Sequence, residues 1–319
     1  MTNFQVYRKT LLFSIIMFGV DIIKLVILAG FCVAGFFILN TTGDGMGLLG
    51  LLIGFVLAIV AIVLINIFVS NRIKAAQIAM MTKGVTENAL PDHTVKEGFN
   101  ELKGRFGSIT VFFFVTNAIK GIFKQIGRGI NKIGTAVGGN TGNAVTSAID
   151  SAVQTLIAYL CDCCLGWVMY RKDQNAARSA CEGAVIFFKH GKTLIRNIGR
   201  IFGMGFLSFL LIGGAFFGLS YLIFNAFPAF FTALSQEIVQ VGGEIPDFVY
   251  DLKTLMIFVA AIAGIIIWSM LHSVLIRPFI LVGVLRNFMA AGKEHIPTEA
   301  EFQEVANKSP RFAKLSQNI

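Results

Sequence analysis

A chain of 319 residues that is 55% hydrophobic and only 14% charged holds more apolar material, and less charge, than a water-soluble globule needs. Its mean hydropathy of +0.73 points to a lipid bilayer. The net charge of +9 is spread over short polar segments, which leaves no solvated basic face of the kind nucleic acid requires.

Six apolar runs follow in order, at 11–39, 47–70, 107–123, 152–170, 201–227 and 255–283. Four are long enough for the about 20 helical residues that cross about 30 Å of hydrocarbon. The first is far longer than the apolar part of a signal peptide. The third is short and runs into a basic stripe, and the fourth carries Asp162 and is only just long enough. The expected fold is therefore an all-α polytopic membrane protein with about six transmembrane helices.

Orientation follows from lysine and arginine. With both termini in the cytoplasm, 21 of the 27 basic residues fall on the inner side. The outer loops are then "TTGDGMG", which has no basic residue, and 228–254, where Glu237, Glu244, Asp247 and Asp251 face Lys253 alone. The stripe in "AIKGIFKQIGRGINKIG" departs from this scheme: Lys120, Lys124, Arg128 and Lys132 recur every four residues beside isoleucines. It reads as the inner or interfacial half of the third helix, turned toward anionic lipid head groups or a wet cavity.

Three segments are expected. Residues 1–106 form a helix pair with a cytoplasmic amphipathic tail, 107–190 a middle pair with a basic, Gly-rich connection and a Cys-rich end, and 191–319 a second helix pair with its own tail. A shift of 183 residues lays "KTLLFSI" on "KTLIRNI", and a shift of 203 lays "FNEL" on "FQEV". These matches suggest a parallel internal repeat. Each tail has a helix-start signature: Asp92 or Thr94 with Glu97, and Thr298 with Glu301.

Soluble-enzyme motifs are missing. "HGKT" has Ile186 where a phosphate loop needs glycine, and the four histidines are too scattered for a metal site. Cys161, Cys163 and Cys164 lack a histidine or second cysteine pair to complete a tetrahedral set and read as packing residues. No cofactor, metal or catalytic residue is expected.

Charges inside apolar runs are costly and are the better clue. Asp21 and Lys24 lie on one face of the first helix, where they can neutralise each other. Asp162 follows Tyr159 by three residues and precedes Trp167 and Tyr170, while Trp268 sits in the last helix, four residues before His272. A carboxylate with aromatic faces suits a quaternary ammonium ion, which is held by cation–π contacts and negative charge. Asp162, Tyr159, Trp167 and Trp268 are thus candidate substrate-binding residues; Trp167 and Tyr170 also read as ordinary interfacial aromatics.

The segments "GRFGSITVFFFVTNAIKGIFKQI" (104–126), "CDCCLGWVMYRKDQNAARSACEGAVIFFKH" (161–190) and "KTLIRNIGRIFGMGF" (192–206) resemble, in order, the C-terminal half of choline transporter-like proteins. The counterparts are Gly107-Ser108, Cys163-Cys164-Leu165 with Trp167, Asn175-Ala176 and Arg196-Asn197. That family is about twice as long, and here Gly166 interrupts the cysteine core. The resemblance implies uptake of choline or related amines, a compact relative acting as a homo-oligomer, and a basic stripe continuous with the third helix.

The leading expectation is a multi-pass transporter of the cell membrane that moves a small solute such as an organic cation, with Asp162 as counter-charge. Two alternatives stand beside it. One is an oligomeric anion-selective channel lined by the basic stripe. The other is a non-transporting scaffold or lipid-interacting protein whose partners are the bilayer and its anionic head groups.

Overall fold

The computed structural model describes residues 1–41, 43, 46–107, 112, 114–122, 143–195, 198–229, 231, 232, 235, 236 and 251–316. Regular structure among them is entirely helical. The helices are α1 (Asn3–Asn40), α2 (Met46–Ile65), α3 (Asn71–Thr86), α4 (Thr94–Phe106), α5 (Asn143–Tyr170), α6 (Ala176–Ile195), α7 (Ile198–Ser208), α8 (Gly214–Asn225), α9 (Leu252–Leu271), α10 (Arg277–Glu294), α11 (Glu299–Lys308) and α12 (Pro310–Ser316). Three π-turns, Asn66–Ser70, Phe209–Gly213 and His272–Ile276, join α2 to α3, α7 to α8 and α9 to α10 without a break. A further helical stretch covers 114–122.

Among the described residues, four helical spans are long and apolar enough to cross a membrane: Asn3–Asn40, Leu49–Thr86, Ile201–Asn225 and Leu252–Glu294. Of the six apolar runs, these account for four. The run at 107–123 extends into residues outside those described. The run at 152–170 is the second half of α5, which is not among the four spans and is packed inside protein. The three-segment division also differs from the observed one. The chain forms two compact units, one of Met1–Ser14, Asn71–Ile201 and Pro278–Ile319, the other of Ile15–Ser70 and Phe202–Arg277. It leaves the first unit at Ser14 and Ile201 and returns at Asn71 and Pro278.

Unit 2 is built from the apolar helices. At the crossing of α1 and α2, a Cβ on Gly50 would fall 2.0 Å from the Gly35 carbonyl oxygen, so only glycine lets these backbones approach. Asp21 and Lys24 form an ion pair at 2.8 Å on α1. In the second helix pair, Phe231, Leu255 and Met256 form a buried cluster with Tyr221, Phe224, Leu252 and Val259. Trp268 donates its indole N–H to Ser208 Oγ at 3.2 Å and packs against Phe209 and His272.

Unit 1 is a bundle with an ordinary buried core. Eleven of the sixteen residues of α3 and eleven of the eighteen of α10 are buried. Helix α3 packs on α4 and α5, α5 on α6, and α11 and α12 on α6. Gln77 ties α3 to the start of α1 by donating to Thr10 O at 3.3 Å and Ser14 Oγ at 3.0 Å. Arg286 of α10 holds the N-terminus through Asn3 Oδ1 and Met1 O. At α11 the capping box forms as expected: Thr298 caps and Glu301 accepts from the Thr298 N–H. At α4 it does not. Thr94 opens the helix and turns its hydroxyl to Pro91 O, leaving His93 at the cap position without a side-chain bond.

Candidate functional site

Lys74 and Asp162 meet at 2.7 Å, joining α3 to α5. Both reach one face through helical spacing. Asp162 lies on the stretch of α5 whose neighbours Cys163, Cys164 and Leu165 are buried, and Lys74 stands one residue before Ala75 and Ala76 of the α3 core. The Asp162 side chain is 8% exposed and that of Lys74 32%. A carboxylate so enclosed needs a partner, and Lys74 supplies it.

A cleft of about 50 Å³ opens beside this pair. Its polar lining is Asn71, Lys74, Thr116, Lys120, Cys161 and Asp162, and its apolar wall includes Ile78, Phe112, Ile119 and Leu165. Thr116 spends its hydroxyl proton on Phe112 O at 2.8 Å. Among the described residues lining the cleft there are two ammonium groups and one carboxylate. The volume suits a few waters and falls far below the roughly 300–1,000 Å³ of small-molecule pockets.

The other expected site residues are engaged elsewhere. Tyr159 is 2% exposed and sits in the core one turn before Asp162. Trp167, 1% exposed, donates its indole N–H to Glu182 Oε2 at 2.9 Å and packs on Tyr170. Tyr170 in turn lies under the Lys293 ammonium, 5.1 Å from its ring centre. Trp268 belongs to unit 2. Of the basic stripe, Lys120 lines the cleft, whereas Lys124, Arg128 and Lys132 lie outside the described residues.

Several residues that local sequence did not single out organise this region. Arg105 clamps the end of α5 and the start of α6, with Nε on Val168 O at 2.7 Å, Nη1 on Gln174 O at 2.8 Å and Nη2 on Ser179 Oγ at 3.0 Å. Glu101 bridges Lys83 and Lys172. Burial pushes its carboxyl up, but the two lysines outweigh this and hold it below its ordinary range. Glu182 also faces Arg171 at 3.7 Å. The only sequence signal for these was a charge beside an apolar run, as in "SACEGAVIFF".

The cysteines are free thiols among the described residues. Burial pushes Cys163 and Cys164 well above the usual thiol range and Cys181 up to about 12, so none of the three is a ready thiolate. No group of three metal-ligating side chains occurs among the described residues.

No family model, no curated protein and no solved structure matches this chain.

Proposed function

We propose that this chain is a four-span membrane protein with both termini and unit 1 in the cytoplasm, acting as a non-transporting scaffold that binds lipid head groups. The observation carrying this reading is the charge balance at Asp162. Its carboxylate is matched by Lys74, and Lys120 adds a second cation to the same small cleft. Two lysines beside the one described carboxylate disfavour an organic cation in this cleft. The topology is supported by the chain's course, which leaves unit 1 twice and returns twice, and by the basic residues concentrated in unit 1. A parallel repeat is supported by a shared design. The return helices Leu49–Thr86 and Leu252–Glu294 each carry one π-turn between a lipid-like apolar half and a half buried in unit 1. The choline transporter-like resemblance rests on its short motifs.

Solute transport is the second reading, and the Asp21–Lys24 pair in α1 favours it, because charges inside apolar spans usually serve a path. The test is uptake of labelled choline by proteoliposomes holding the full chain. The scaffold reading expects uptake equal to protein-free vesicles, with phospholipid retained on the purified protein. Saturable uptake abolished by Asp162→Asn would overturn it.

A further inference from the structure

We propose that a second cleft, where α5 and α10 end, binds a small water-soluble organic anion through Lys293 and Arg171. The ligand class is a carboxylate or phosphate ester with an apolar body. The site lies wholly in unit 1 and goes beyond the lipid-binding reading. It takes from that reading only that the points where the chain returns to unit 1 lie at the head groups. Three observations carry it.

The first is how the site is built. It is an open cleft of about 530 Å³, lined by Trp167, Tyr170, Arg171, Asp173, Lys293 and Ile296. This falls within the roughly 300–1,000 Å³ of small-molecule sites. Trp167 sets the approach of α10, because a Cβ on Gly292 would fall 2.5 Å from the indole ring and only glycine fits. The next residue, Lys293, is thereby carried over Tyr170, its ammonium 5.1 Å from the ring centre. Trp167 also donates its indole N–H to Glu182 Oε2 at 2.9 Å, and Glu182 faces Arg171 at 3.7 Å. Asp173 accepts from Arg171 Nε and Nη2, both at 3.1 Å. Both cations are thus oriented before a ligand arrives, which lowers the cost of binding.

The second is the donors that remain. Lys293 has no carboxylate partner among the described residues; besides the Tyr170 ring it meets the Thr86 carbonyl oxygen at 3.4 Å. Arg171 is held by Asp173, Glu182 and Gln174, but its Nη1 group meets no acceptor among the described residues. The one carboxylate of the lining, Asp173, already accepts from Arg171. An anion can therefore take N–H groups from both cations.

The third is the surface beside them. Tyr170 is 38% exposed and Ile296 53%, so the cleft offers an aromatic ring and an aliphatic side chain to the body of a ligand. A bare inorganic ion has no use for these. Position favours a soluble ligand over a lipid. Lys293 comes fifteen residues after Pro278, and Thr86 fifteen after Asn71, where the chain returns to unit 1. At 1.5 Å per residue this is about 22 Å along each helix from those points.

The experiment is saturation-transfer NMR on the purified full chain in detergent, titrated with phenyl phosphate and with benzoate and read against empty micelles. Inorganic phosphate, benzyl alcohol and dioctanoyl phosphatidylglycerol serve as competitors. Both aromatic anions should bind saturably, and neutral benzyl alcohol should not compete. Lys293→Gln should weaken binding about tenfold and Lys293→Glu more, the effect of losing one charge-assisted hydrogen bond. Lys96→Gln, at another exposed lysine on α4, should leave binding unchanged. Lys293 is exposed, so its variants should fold, and an unchanged melting temperature checks that. Ile296→Ser should narrow the preference for phenyl phosphate over inorganic phosphate.

Binding that both Lys293 variants leave unchanged would overturn the site. Inorganic phosphate competing as well as phenyl phosphate would make the bare ion the ligand, and displacement by the phospholipid would make it a head group; either overturns the assignment. Absence of wild-type binding by both aromatic anions would overturn it as well. The scaffold reading is decided separately, by the uptake measurement and the retained phospholipid.

Discussion

In unit 2 many large apolar side chains are exposed, among them Val26 at 65%, Leu211 at 65% and Leu222 at 69%. In unit 1 many of the same residue types are withdrawn into a core, with Val185, Ile280, Leu285 and Phe288 all at 0%, while Phe4, Leu12, Phe114 and Ile296 stay exposed. A single span shows the change along its length. The α2 half of Leu49–Thr86 exposes Leu52, Phe55, Val56 and Leu57, whereas α3, which carries Gln77, Thr82 and Lys83, is mostly buried. Burial thus runs opposite to hydropathy. An exposed apolar half fits hydrocarbon and a buried, more polar half fits a protein core, which is the contrast that the proposed topology uses.

The largest expected effect sets matched truncations against each other. Trp167→Ala empties the core beneath Gly292 and Ile186 and removes the donor that satisfies Glu182, at a cost of about 3–5 kcal/mol. Leu222→Ala on the lipid-facing side should change stability by less than about 0.5 kcal/mol, because detergent or lipid fills the space. Thermal unfolding of the two full-length variants in the same detergent checks the pair. Equal destabilisation would remove the distinction between the units.

The next effect probes the solvent of unit 2 directly. Ile53→Lys puts a charge at a site 52% exposed on α2 and should cost about 2.5–3.5 kcal/mol of insertion free energy. Measuring the inserted fraction during synthesis into microsomes reads this out. Full insertion of the variant would mean that this face does not meet hydrocarbon.

The contrast also explains what the sequence made legible. The four long apolar runs, the Asp21–Lys24 pair and the Thr298–Glu301 box could all be read because each is a local pattern whose partners lie within a few turns of chain. The run at 152–170 could not be placed by hydropathy, since a helix buried in a protein core and one buried in lipid use the same residues. Its Asp162 looked like a counter-charge for a cation because its partner, Lys74, comes from a distant helix and leaves no mark beside it. Trp167 looked interfacial for the same reason, its partner Glu182 lying across the turn into α6. Thr94 carries the same cap-and-glutamate spacing as Thr298, yet the chain ahead of it turns differently at Pro91 and the box does not close.

The smallest effect is read in unit 1 by pH. Glu301 accepts from Lys189, from the Thr298 N–H at 2.9 Å and from His295 at 2.9 and 3.0 Å, fastening α11 to α6. The Lys189 hydrogen bond is the main cause that holds its carboxyl at about 2, against an ordinary 4.5; burial opposes it, and the Thr298 and His295 bonds add to it. A depressed carboxylate contributes stability that is fully present above its unfolded value. The contribution is therefore intact above about pH 4.5 and is lost as the pH falls through that value toward about 2. Acid should therefore loosen the C-terminal strap of unit 1. Pepsin cleavage of the full chain across this interval tests it, with Glu301→Gln as the reference. The wild-type strap should be the better protected at pH 4.5, and the two proteins should converge at pH 2. A difference that persists undiminished to pH 2 would mean that the Glu301 charge does not hold the strap.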